Sequence, residues 1–197
     1  MTVPRAAVPH PVVAAAGRDG RLPEWARCGE ARRAHMERVA DLMAEWAEGL
    51  DLPEAERVRW VAAARLHDAL RDAPPAELRR EAALDWPAAL RHGPACAAHL
   101  RAEGVEDEDL LRAVAYHTVG HPEFGRLGEY LYLADFLEPG RSYLPDVRER
   151  LRAILPAERL EALLSVTGLR LAHRLEVRGA IRPVTVALWN RLVEEAA

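Results

Sequence analysis

The sequence predicts an all-α fold in a single domain, on three observations. Ala, Leu, Arg and Glu, all good helix formers, carry much of the chain, and the β-branched or aromatic alternation of strands is scarce. Apolar positions recur at spacings of three and four, as at His35, Val39, Leu42, Met43 and Trp46. Prolines and glycines cut the chain into helix-length segments. The 197 residues make roughly one domain, long enough to bury a core without disulfide or metal staples.

In chain order, residues 1–22 carry three prolines and two glycines and no sustained period, so an irregular N-terminal extension is expected there. The domain is then residues 23–197. A short helix is expected over Pro23–Cys28 and a long one over Glu30–Glu48. The next runs from Pro53 to about Leu70 and ends at the pair His67-Asp68. Further helices are expected at Pro75–Ala83, Pro94–Glu103, Asp107–Thr118 and Arg126–Leu137. The tail reads as Asp146–Leu155, Ala157–Arg178 and Pro183–Glu195, with Pro183 where a first-turn proline belongs. The acidic run Glu106 to Asp109 suits a helix start, because the dipole favours negative charge there.

All 27 basic side chains are Arg, and lysine is absent. That excludes a Walker-type phosphate loop, which needs its Lys, and Schiff-base lysine chemistry. Net charge is −4 with a pI near 6.1, against a nucleic-acid partner, which usually selects a basic face. Cys28 and Cys96 sit in no motif, which fits a reduced, cytoplasmic setting. The longest early apolar stretch, Val12 to Ala16, is too short for a signal-peptide core or a membrane span. The oligomeric state stays open, a homodimer included.

Six residues form a pattern: His35, His67, Asp68, His92, His117 and Asp135. Each lies in an apolar helical stretch or at a helix end. Imidazole and carboxylate are ligands for Fe, Mn, Zn or Ni. Four His and two Asp exceed one tetrahedral ion and suit two ions sharing a bridging carboxylate. His67 and Asp68 diverge by about 100° on a helix, so one could ligate while the other bridges. Asp135 in an apolar helix needs a cation or metal, since a buried unpaired carboxylate is costly. Two nearby ions can activate a water and stabilise charge on a transferred phosphoryl group, a reaction that asks little covalent chemistry of the protein. Ser142 and Ser165 are the only serines and have no evident His-Asp partners. His10, His99 and His173 read as surface or satisfied histidines, Arg32-Arg33 as a solvated helix face, and the five tryptophans as packing anchors.

The joint order resembles the HD-domain superfamily of metal-dependent phosphohydrolases. It is most similar to the YqeK family, which splits diadenosine tetraphosphate symmetrically into two ADP. The matching stretches are Arg-Arg-Ala-His35-Met-Glu-Arg-Val-Ala, Leu-His67-Asp68, Leu-Arg-His92-Gly-Pro, Tyr-His117-Thr-Val-Gly and Tyr-Leu-Ala-Asp135-Phe-Leu-Glu-Pro-Gly-Arg141. The resemblance implies an HD-domain helical bundle and a nucleotide substrate. It implies one metal on His35, His67 and Asp135, a bridging Asp68, and a second metal on His92 and His117. The centre would be of the di-iron type, with Mn, Ni, Co, Zn or Mg able to serve. His67, Asp68 and Arg71 would act in catalysis, and Arg71, Thr118, His121 and Arg141 would meet the phosphates or nucleotide. Two departures mark the chain. Ala69-Leu70-Arg71 stands where the family has an aromatic or Ile, then Ala, then Lys, and Val119-Gly120-His121 stands where it has Thr-Gly-Arg. They motivate a second reading, a superfamily enzyme acting on another nucleotide or small phosphoester; a third, a non-catalytic nucleotide-binding regulatory module, is opposed by the six intact ligands.

Overall fold

The structure, a computed structural model, describes residues 9–82 and 86–197. Ten α-helices appear among them: α1 (Pro11–Asp19), α2 (Glu30–Gly49), α3 (Glu54–Leu66), α4 (Pro75–Glu81), α5 (His92–Ala102), α6 (Glu108–Tyr116), α7 (Arg126–Leu137), α8 (Pro145–Ala153), α9 (Arg159–Glu176) and α10 (Pro183–Ala196). A 3-10 turn, Ala88–Leu90, precedes α5. No strand occurs among the described residues. The fold class is the one the composition predicts.

α7 is the centre of the bundle. From Leu127 to Leu137 every side chain except Phe136 is buried, against α2, α3, α6, α8 and α9. A helix apolar on all sides must be surrounded, and this one is. Trp46 of α2 and Trp60 of α3 both pack on Tyr130 of α7, with ring centroids 5.8 and 5.0 Å apart. Truncating either fully buried Trp to Ala would cost about 3–5 kcal/mol. Buried Glu129 ties α7 to the C-terminal hairpin through Arg159 at 2.6 Å and Arg191 at 2.5 Å.

Two local expectations need correction. Residues 11–19 are a helix rather than part of an irregular arm; residues 1–8 lie outside the described residues. The apparent breakers have helical jobs. Pro11 occupies the first turn, where its missing N–H costs nothing, and Gly20 is the left-handed C-cap at φ 66°. Gly17 lets α1 press against α3: a Cβ there would lie 2.3 Å from the Val58 carbonyl oxygen. Val13 and Ala16 are thereby buried.

Residues 23–28 are not a helix. Their backbone bonds to another segment instead. Arg27 N–H donates to the Ala69 carbonyl at 2.6 Å, and its carbonyl accepts from Asp72 N–H at 3.1 Å. The Gly29 N–H donates to the Asp72 carboxylate at 2.8 Å. This strap holds the turn over residues 67–72 that follows α3, which ends at Leu66 and not near Leu70. α7 spans the expected residues, and the other boundaries differ by at most two residues; Ala83, the expected end of α4, lies outside the described residues.

Candidate metal centre

Five local structures deliver the six expected ligands. His35 sits in the second turn of α2. His67 caps α3 and Asp68 follows it into the turn. His92 opens α5, His117 caps α6, and Asp135 lies in the last turn of α7. Helix ends leave backbone groups unpaired, so ring nitrogens can be fixed locally. His67 Nδ1 donates to the Ala64 carbonyl at 2.6 Å, and His117 Nδ1 to the Val114 carbonyl at 2.8 Å. His35 Nδ1 donates to Glu138 Oε1 at 3.2 Å. With the proton on Nδ1, each ring turns a bare Nε2 inward, the orientation a metal ligand needs.

All six side chains are buried and converge. Asp68 is central. Its Oδ2 lies 3.7 Å from His35 Nε2 and 3.6 Å from His67 Nε2. Its Oδ1 lies 3.0 Å from His92 Nε2 and 3.4 Å from His117 Nε2. One carboxylate thus faces two histidine pairs, one per oxygen. Asp135 Oδ1 joins the first pair, 3.3 Å from His35 Nε2 and 4.0 Å from His67 Nε2. Two sets of donor atoms, His35–His67–Asp135 and His67–Asp68–His117, each fall within 4.8 Å.

Electrostatics favour the ligand protonation states of His67, His92, Asp68 and Asp135. Burial pushes His67 down to about 4 and lowers His92 as well. Burial alone would raise Asp68, but His67, His117 and His92 hold it well below the usual carboxylate range. Burial opposes Asp135 in the same way, and His35, Arg170, His117 and His67 outweigh it. His35 is the exception: burial would lower it, yet the nearby carboxylates of Asp135 and Glu138 raise it, so a metal there would have to displace a proton. Neutral imidazoles beside ionised carboxylates are a metal-binding set. The buried atoms His35 Nε2, His67 Nε2 and Asp68 Oδ1 have no hydrogen-bond partner. Leaving three such groups unsatisfied is costly; a cation on the Oδ2 side of Asp68 would satisfy the two ring nitrogens, and one on the Oδ1 side, toward His92 and His117, would satisfy the carboxylate oxygen. The residues fit a metal.

The ligands open onto a cleft of about 180 Å³ walled by Arg32, Arg71, Arg141, Arg170 and Thr118. Arg71, Thr118 and Arg141 were expected there. Thr118 Oγ1 lies 3.0 Å from His117 Nε2, and Arg141 donates to Asp135 Oδ1 at 2.9 Å. His121 is not brought to the cleft. It packs against Tyr116, centroids 4.5 Å apart with the rings tilted by 55°, in a surface pocket with Pro94, Ala97 and Arg112.

Three important residues escaped the sequence reading. Arg32 is no solvated face: it donates to Asp68 Oδ2 at 2.7 Å. Its position three residues before His35 could have shown that. Glu138, three residues after Asp135, braces His35 and is itself held by Arg38 Nε at 2.5 Å and the Gly140 N–H at 2.7 Å. Arg170 of α9 donates to Asp135 Oδ2 at 3.1 Å and the Thr118 carbonyl at 2.7 Å. Nothing local in the sequence marks it.

Comparison with known proteins places the chain in a family. Residues 32–141 match the HD domain family model, a span that contains all six ligands. A Bacillus subtilis protein named "Bis(5'-nucleosyl)-tetraphosphatase, symmetrical" is 31% identical over 175 residues, covering 83% of this chain and 90% of its own. A Halalkalibacterium halodurans protein of the same name is 36% identical over 107 residues, covering 54% of this chain and 56% of its own. A crystal structure from Clostridium acetobutylicum, described as a "predicted HD superfamily hydrolase involved in NAD metabolism", superposes with a TM-score of 0.74. It is 25% identical and the match covers 85% of this chain and 91% of that one. No helix among the described residues is long and apolar enough to cross a membrane. The chain belongs to the HD-domain family, and within it to the YqeK family that includes the Bacillus subtilis protein.

Proposed function

We propose that this protein is a metal-dependent phosphohydrolase that cleaves a dinucleoside tetraphosphate symmetrically, diadenosine tetraphosphate and water giving two ADP. The observation that carries it is the arrangement around Asp68: a carboxylate with one histidine pair per oxygen, opening onto a cleft of four arginines. The names of the relatives supply the substrate.

His35, His67 and Asp135 would hold one divalent ion, His92 and His117 a second, with Asp68 between them. Iron is the proposed metal, on the family's precedent. Such ions, when bound, lower the pKa of a water and neutralise charge on phosphoryl oxygens. The chain supplies the rest. The Nδ1 bonds of His35, His67 and His117 fix which nitrogen faces the cleft. Arg71, the one cleft arginine with no carboxylate partner among the described residues, is free to pair with the tetraphosphate. Arg141 and Arg170 are held in place by Asp135 and face the charge that grows on the departing diphosphate.

The test is metal analysis of the purified protein with a product assay on diadenosine tetraphosphate, nucleoside monophosphates and nucleoside triphosphates. Bound metal, ADP as the sole product and loss of turnover in Asp68→Ala are expected. A metal-free protein in which Asp68→Ala equals the wild type would end this reading. Faster turnover of a mono- or triphosphate would replace the substrate.

A further inference from the structure

A second cavity opens off the metal cleft, between α7, α8 and α9. It has a volume of about 390 Å³ and is lined by Phe136, Arg141, Tyr143, Arg148 and Leu169. Asp135, Arg141 and Arg170 belong to both walls, so the cavity continues from the cleft. Its size is that of small-ligand sites.

Arg148 is the unusual member. It is 5% exposed, and its Nε donates to the Tyr143 carbonyl. Its guanidinium lies over the Phe136 ring, 4.1 Å from the centroid. Its NH1 is buried and has no hydrogen-bond partner. No carboxylate lies within ion-pairing distance of it among the described residues, whereas Arg141 and Arg170 both pair with Asp135. Burial and the charges of Arg141 and Arg170 push it down to about 10. A buried guanidinium with an unmet donor and two cations nearby calls for an anion.

We propose that this cavity is the subsite for the leaving nucleoside diphosphate, whose phosphates are gripped by Arg148 together with Arg141 and Arg170. The proposal rests on the dinucleotide reading above and adds where the second half of the substrate sits. It gives the two halves different surroundings: one at the metal ligands and Arg71, the other under α8.

The experiment compares the metal-loaded full chain with Arg148→Gln and Arg148→Lys. ADP binding is read by calorimetry and turnover of diadenosine tetraphosphate as separate kcat and KM. Loss of one charge-assisted contact should weaken ADP binding and raise KM about tenfold to a hundredfold in Arg148→Gln. Metal content and melting temperature should stay near wild type, and Arg148→Lys should recover most of the ADP affinity. The subsite is overturned if Arg148→Gln binds ADP as the wild type does, if the wild type binds none, or if both variants lose stability and function together. ADP binding judges the subsite, while wild-type failure to cleave the dinucleotide would defeat the functional reading instead.

Discussion

Glu138 stands directly behind His35, its Oε1 accepting the Nδ1 proton at 3.2 Å. Burial would raise this carboxyl, but His35, Arg38 and the Gly140 N–H bring it down to about 2. The negative charge enriches the electron density of the ring and pins its orientation. Glu138→Gln keeps the shape and loses the charge. Metal affinity should fall about 10- to 100-fold, the usual cost of losing such a brace, measured by competition with a chelator. Unchanged affinity would mean that Glu138 serves folding alone.

Gly93 explains why the His-Gly-Pro block has its middle residue. A Cβ there would lie 2.8 Å from both the Val114 and Ala115 carbonyl oxygens and 3.2 Å from His117 Cε1. Backbone cannot swing aside as a side chain can. Gly93→Ala should therefore push the start of α5 from the end of α6, separating His92 from His117. Expected are a loss of about 1–3 kcal/mol by overpacking and a drop in bound metal, from the two ions proposed above toward one. Full metal content in this variant would contradict the pairing of these two histidines.

Arg170 reaches Asp135 and the Thr118 carbonyl at once and lies over the Tyr132 ring, 4.6 Å from its centroid. A lysine cannot make that fork. Arg170→Lys should lower kcat about 10- to 100-fold, one or two charge-assisted bonds' worth, while metal content changes little. Equal kcat in the two proteins would show that the contact is not used.

These residues also show where the sequence was readable. His35, His67-Asp68, His92, His117 and Asp135 each sit in a short stretch whose helical setting is plain, and the ligand types are few, so their order alone suggested convergence. Arg170 reaches Asp135 from 35 residues away on another helix, and no local spacing encodes that. Arg148 looked like any arginine on a charged helix until α8 packed it over Phe136. α1 was hidden for the opposite reason: Pro11, Gly17 and Gly20 are strong local punctuation, and only packing on Val58 reveals them as helix start, contact and cap. Residues 23–28 had local helix potential that lost to backbone bonds with Ala69 and Asp72.

Stability should carry a pH signature at the junction of α3 and α6. Asp107 accepts from the Leu110 N–H at 3.0 Å as the N-cap of α6, and from Arg59 NH2 at 2.7 Å. Burial would raise its pKa, but Arg59 and the backbone donors outweigh burial and hold it below 3.8. A carboxyl depressed in the folded state stabilises above its unfolded value, and that contribution is lost as pH falls through the folded value. Asp107→Asn keeps a capping oxygen and removes the charge. Arg59 retains Glu56 and Asp109, each at 3.0 Å, which softens the loss. The variant should be less stable by about 1–2 kcal/mol at pH 7 in urea unfolding of the metal-free protein. That gap should persist down to about pH 5 and close toward pH 2, since the unfolded carboxyl titrates near 3.9. A gap that held constant from pH 7 to pH 2 would assign the difference to the cap and not to the ion pair.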